Sequence, residues 1–162
     1  MSFSAKRLIL LFSLFFVFVA PVSNYRSFEI PSYSDVYWLA LNMYHEAGNQ
    51  SEMGKAAVGI VTLNRLSHPK LFENSIEKVV KEYKQFSWYH LKKDHKPYNE
   101  EIWNECVRIS TLLLTQRYNP EIIDELSGVT HFHATYVKPL WRKSMIKVTQ
   151  IGDHIFYRMN NK

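Results

Sequence analysis

Past residue 34, apolar residues recur at spacings of three and four, the repeat of a helix with one buried face. Ser34 is placed to cap a helix from Asp35 to Ala47, with Val36, Leu39 and Met43 on one side and Gly48 to end it. Asn49 and Glu52 have capping-box spacing for a second helix to about Leu66, with Met53, Ala56, Ala57, Ile60 and Leu63 as its face. Ser75 caps a short helix on Ile76, Val79, Val80 and Tyr83, and Gln85 to His90 breaks the pattern. Asn99 opens a long helix to about Tyr118, with Ile102, Trp103, Cys106, Ile109 and Leu113 inward, and Asn119-Pro120 stops it. After Gly128 the period shortens toward alternation in Val129 to Val137. A second alternating stretch turns at Gly152-Asp153, where glycine in the first central position suits a II′ hairpin. The order predicts an α+β fold, helix-dominated, with a small antiparallel sheet near the C-terminus.

The first segment has a different pattern. Lys6 and Arg7 precede thirteen residues, Leu8 to Ala20, that carry no charge and no polar face. A basic start and an apolar core are what an export signal needs. Pro21 makes the cleavage site poor, and the core is short for a full span, so both a cleaved signal and a signal-anchor fit. We divide the chain into a signal or anchor over 1–23, a linker over 24–34 and one catalytic domain over 35–162. Export puts the domain outside the cytoplasm, in the periplasm, in the wall or anchored facing it. Membrane contact is then confined to the N-terminal segment, and nucleic acid is not a partner.

Composition adds little. Charged residues make up 22%, as in ordinary globular chains, so the domain reading stands. The net charge of +5 favours anionic partners, but the cations are interleaved with acids rather than clustered. Cys106, the one cysteine, allows no internal disulfide and falls in an apolar stripe, as a small buried residue would. The chain is read as a monomer.

Glu46 is the candidate for chemistry. It lies three residues past Met43, at the edge of the apolar face and one turn from the helix end. A carboxylate there loses solvation, which raises its pKa and suits a general acid. Spacing alone also fits a solvated glutamate at a frayed end.

The segment from Asn42 to Arg65, "NMYHEAGNQSEMGKAAVGIVTLNR", resembles the signature of the SleB-type (spore-cortex-lytic) cell-wall hydrolases, in which an acidic "E-A" ends one helix and a Gly-x-x-A-V-x-x-V-x-x-N-R helix follows. The likeness continues in Gln85-Phe86-Ser87-Trp88, in His131 to Trp141 and in Ile151 to Arg158, and spans about residues 35 to 158. It implies a lysozyme-like fold that cuts the glycan strands of peptidoglycan, with the catalytic acid at Glu46. None of Glu52, Asp94 and Asp153 has a comparable motif around it. A single carboxyl suits a lytic transglycosylase, whose product is a 1,6-anhydro sugar and which needs no second carboxylate and no cofactor.

Gln85, Ser87, His131, His133 and Tyr136 are then candidates for polar contacts with the glycan, and Phe86 and Trp88 for stacking on it. Core packing is the competing role for Phe86, and for Tyr136 with Trp141. His131 and His133 share a strand face, which raises zinc, with His45 and His154 as further candidate ligands. No third protein ligand can be placed, and the site is read as metal-free. A zinc N-acetylmuramoyl-L-alanine amidase and a non-catalytic wall-binding module are the alternatives.

Overall fold

The computed structural model describes residues 30–91 and 93–160. The predicted signal or anchor and most of the linker lie outside them. Six helices precede a three-stranded sheet: α1 (Tyr33–Ala47), α2 (Glu52–Leu66), α3 (Ile76–Lys81), α4 (Ser87–Leu91), α5 (Glu100–Leu114), α6 (Pro120–Glu125), β1 (Val129–Ala134), β2 (Met145–Ile151) and β3 (His154–Met159), with a 3-10 turn at Leu140–Ser144 before β2. The helix-dominated α+β architecture expected from the periodicity is the one observed.

Helix α2 is the axis of the fold. Every residue from Gly54 to Thr62 is buried, because α1, α3 and α5 lie against it on one side and β1 on the other. Small residues make this close approach feasible. A Cβ on Gly59 would stand 2.7 Å from Leu113 and 2.8 Å from Met43. The core runs through Leu39, Met43, Val58, Val61, Ile109 and Phe156.

Several buried polar side chains are paired across elements, which offsets the cost of their burial. Asn42 donates to Thr62 Oγ1 at 3.0 Å and accepts from Trp88 Nε1 at 2.9 Å, tying α1, α2 and α4 together. Lys55, 5% exposed, donates to Glu105 and to the carbonyl of Gln50, both at 2.8 Å. Asn64 spans the corner before β1, donating to the carbonyls of Leu126 and Val129.

Several boundaries differ from the sequence reading. The cap of α1 is Ser32, whose hydroxyl accepts from the Asp35 amide, so the helix starts two residues early. Ser51 rather than Asn49 caps α2, accepting from Gly54. Gly48 is right-handed, with φ −57°, so it is not a left-handed stop. Its missing side chain instead allows close approach to the Tyr44 carbonyl and Ile102. Residues 87 to 91 form a short helix, entered through left-handed Lys84. Helix α5 stops at Leu114, before a left-handed Gln116, and Pro120 opens α6 as its first residue rather than merely ending α5.

The sheet order is β1-β3-β2, all antiparallel, with Phe132 opposite Phe156 and Ala134 opposite His154. Ile151 pairs with His154 across the two-residue turn, where Gly152 takes φ +55° as the hairpin reading requires. Among the described residues no helix is long and apolar enough to cross a membrane.

Asn42→Leu should lower stability by about 1–3 kcal/mol, because Trp88 Nε1 then has no partner in the core. In thermal unfolding this is a fall of roughly 3–10 °C in midpoint. An unchanged midpoint would show that the network adds nothing.

Candidate active site

Between the end of α1 and the sheet lies a cleft of about 340 Å³, lined by Glu46, Arg65, Lys84, Gln85, Ser87, Phe132, His133, Ala134, Tyr136, Val137 and His154. It brings together five residues singled out from sequence: Glu46, Gln85, Ser87, His133 and Tyr136. Among the described residues that line it, Glu46 is the only carboxyl. It is half-buried in the last turn of α1. Tyr136 is 85% exposed, at the rim.

The connection after Glu46 is short and held from both sides. Gln50 donates through its side-chain amide to Asp153 Oδ2 at 3.0 Å and accepts from the Asp153 backbone amide at 3.1 Å. Its own carbonyl is held by Lys55. A side chain on Gly152 would collide with Gln50 Oε1, so glycine is needed there for space as well as for φ. The hairpin turn is thereby fastened to the loop that begins at Glu46, and its next residue, His154, enters the cleft.

The end of α1 is braced by aromatic rings outside the cleft. Trp88, 4% exposed, stacks on His45 at 4.2 Å between centroids. His45 donates through Nε2 to the carbonyl of His95, and His95 donates through Nε2 to the carbonyl of Tyr89, stacking on that ring at 4.9 Å. Tyr44 Oη accepts from the amides of Tyr98 and Asn99. The polar loop that follows α4, which periodicity leaves without a role, is pinned by these bonds to the two residues before Glu46.

Arg65 crosses beneath the cleft. It is 4% exposed, donates through Nε to the Thr130 carbonyl at 3.0 Å, and lies over Phe86 at 4.6 Å and Phe72 at 5.3 Å. Burial pushes its pKa down to about 10, while the carboxylates of Glu82 and then Glu46 pull it up. It stays cationic at neutral pH, so a fixed positive charge stands near the cleft's one acid.

Three sequence candidates lie elsewhere. Phe86, 1% exposed, is the platform under Arg65, so its ring has no face for a sugar. Trp88 is spent on His45 and Asn42. Both rings are turned inward, Phe86 just before α4 against Arg65 of α2 and Trp88 in α4 against His45 and Asn42 of α1. His131 does share its strand face with His133, as alternation predicts, since both rings meet Trp141. It is not among the cleft-lining residues, and its Nδ1 bonds to Thr130 Oγ1. His133 engages both ring nitrogens: Nδ1 donates to the Ala134 carbonyl at 2.8 Å, which leaves Nε2 to accept from Tyr157 Oη at 3.0 Å. Among the described residues, no three His, Cys, Asp or Glu side chains are grouped to hold a metal.

Arg65, Lys84, Phe132 and His154 were not picked as cleft residues. Arg65 and His154 stand inside the quoted motifs, Arg65 without a role attached and His154 weighed only as a further zinc ligand. Phe132 also stands inside a quoted motif, and Lys84 has no signal in the sequence.

The cell wall hydrolase family model matches residues 49–157, a span that begins three residues after Glu46. Two solved structures are similar in fold. The catalytic domain of Bacillus cereus SleB has a TM-score of 0.60 at 20% identity, over 78% of this chain and 91% of that one. The catalytic domain of Bacillus anthracis SleB, described as a germination-specific lytic transglycosylase, has 0.59 at 21% identity, over 79% of this chain and 97% of that one. No curated protein matches the chain.

His131 carries a pH dependence. Burial, and then the Arg65 charge, push its pKa down to about 4. The unfolded chain therefore takes up a proton near pH 6.5 that the fold refuses. Stability is full above about pH 6.5 and is lost progressively as pH falls toward 4. His131→Gln should flatten the unfolding midpoint between those pH values; an equal slope in wild type and variant would refute the assignment.

Proposed function

The chain belongs to the cell wall hydrolase family, and on that premise we propose that it cleaves peptidoglycan strands at the MurNAc–GlcNAc bond, as a lytic transglycosylase with Glu46 its one catalytic carboxyl. The observation that carries this reading is the cleft itself, in which Glu46 is the sole Asp or Glu among the described residues. Hydrolysis by either common route wants a second carboxyl, roughly 5–9.5 Å away across the bond. The acids considered from sequence are committed elsewhere: Asp94 accepts from Tyr98 Oη, Glu52 pairs with Arg108, and Asp153 is bound to Gln50. The fold, shared with a protein described as a lytic transglycosylase, agrees with the reading.

The reaction needs one proton carried both ways. Glu46 gives its proton to the glycosidic oxygen as the bond to the anomeric carbon breaks. The resulting carboxylate takes the proton of the muramic acid 6-hydroxyl, and that oxygen closes on the same anomeric carbon. A 1,6-anhydro end forms, Glu46 is protonated again, and no water is consumed. Arg65 supports the carboxylate stage, since its charge stands near Glu46 and is weakly solvated. Gln85, Ser87 and Tyr136 offer hydrogen-bonding groups along the cleft, and His133 is the wall on the sheet side.

The zinc-amidase alternative rested on His131 and His133. It finds little support where both nitrogens of His133 are engaged within the protein. We further propose that residues 1–23 export the domain, that 24–34 connect it, and that a monomer acts on glycan outside the cytoplasm, with the membrane reached only through the N-terminal segment.

Glu46→Gln keeps the side-chain volume, so its unfolding midpoint should stay within a few degrees of wild type. Release of soluble fragments from purified peptidoglycan should fall on the order of a thousandfold, as for loss of a general acid. A variant that keeps a third of the activity would end the assignment, and activity lost to EDTA and restored by zinc would favour the amidase.

A further inference from the structure

The stretch from Leu126 to Gly152 contains no Asp or Glu and carries four cations, Lys138, Arg142, Lys143 and Lys147, in a chain whose net charge is +5. Most of it forms β1, β2 and the connection between them. Lys138, Lys143 and Lys147 are exposed, and none of the three pairs with an acid among the described residues. Three large apolar side chains of the same connection, Tyr136, Val137 and Leu140, also face solvent, Leu140 with 83% exposure. A single exposed apolar residue needs no explanation. Three within five positions, beside unpaired cations, mark a binding surface.

The connection is anchored, so these side chains are presented from a fixed base. The Thr135 amide donates to the Asp153 carbonyl at 2.8 Å, and the Val137 amide to the Ala134 carbonyl at 2.9 Å. Next to Leu140, the Trp141 ring lies against His131, His133 and Tyr157, at 5.3, 5.6 and 5.5 Å between centroids. Tyr157 is also the sheet partner of Lys147, which sets that residue next to the same anchor. The surface is continuous with the cleft. Tyr136, Val137 and His133 line the cleft, and Lys138 follows Val137 directly. A ligand that fits both is anionic and leaves the cleft on this side.

We propose that this surface binds the acidic peptide stems that hang from the muramic acid residues of a glycan in the cleft, with stem carboxylates on Lys138, Lys143 and Lys147 and alanine methyl groups on Val137 and Leu140. This rests on the glycan reading above. A stem is attached to the substrate itself, so it is carried to the surface whenever the glycan occupies the cleft. An anionic membrane has the same charge but does not enter the cleft. None of the three lysines lines the cleft, so the contact lowers KM without speeding the bond-breaking step.

Kinetics of the full chain test it, on soluble stem-bearing glycan strands and on the same strands with their carboxyls converted to amides. Wild type should show a KM about tenfold lower on the untreated strands, as a few exposed ion pairs allow. A variant carrying Lys138→Gln, Lys143→Gln and Lys147→Gln should lose that preference. Its KM should rise about tenfold on untreated strands and stay unchanged on amidated ones, with kcat within about twofold throughout. Replacing the same three lysines by Arg should keep the wild-type KM, which separates lost charge from a disturbed loop. Equal KM of wild type on both strands, or a Gln variant that keeps the preference, would overturn the inference and leave the glycan reading intact. So would a Gln variant that loses binding to phosphatidylglycerol vesicles with KM unchanged, which would make the surface a membrane contact. Cleavage of neither strand by wild type would overturn both.

Discussion

Gln50 fastens two parts of the chain that lie a hundred residues apart. Its side-chain amide holds the turn of the β2–β3 hairpin through Asp153, and its carbonyl is held from below by the buried ammonium of Lys55. Gly54 and Gly152 leave room for it: a Cβ on Gly54 would be 2.8 Å from Gln50, and one on Gly152 would strike its amide oxygen. Without this bridge the end of α1 and the start of β3 would be joined only through the core. With it, the acid on one side of the cleft and the imidazole on the other are held by one short loop. Such preorganisation matters because a general acid must reach the leaving oxygen to within hydrogen-bond distance.

Around that bridge the molecule keeps the rings of Phe86 and Trp88 in the scaffold, while Phe132 and Tyr136 line the groove. Phe86 supports Arg65, and Trp88 braces His45. Tyr44 and His45, the residues before Glu46, are tied to the loop after α4. Tyr44, His45, Trp88, Tyr89 and His95 thus hold the end of α1. The cleft presents polar and basic groups with one carboxyl among them, an arrangement that favours proton shuttling by a single residue.

The helices were legible wherever one face repeats every three or four residues, and α1, α2, α3 and α5 follow the sequence reading to within a few positions. Caps were less legible, because serines at 32 and 34, and Asn49 and Ser51, compete for the same role and tertiary context selects between them. Helix α4 escaped notice because five residues are too few to show a period. The position of Glu46 at the edge of an apolar face was readable from Val36, Leu39 and Met43. Some of its neighbours in the cleft were not, since Arg65, Lys84 and His154 arrive from distant parts of the chain. The exposure of Phe86 and Trp88 was unreadable for the same reason: period cannot tell a ring that meets substrate from one that meets a guanidinium.

The central claim is that one carboxyl closes the reaction without water. Digestion of purified peptidoglycan in water enriched in heavy oxygen tests it most directly, with mass spectrometry of the released muropeptides. The account predicts products that carry no heavy oxygen at the muramic acid end and are lighter by one water than reducing-end fragments. One heavy oxygen at each new reducing end would mean hydrolysis, and would contradict the single-carboxyl mechanism.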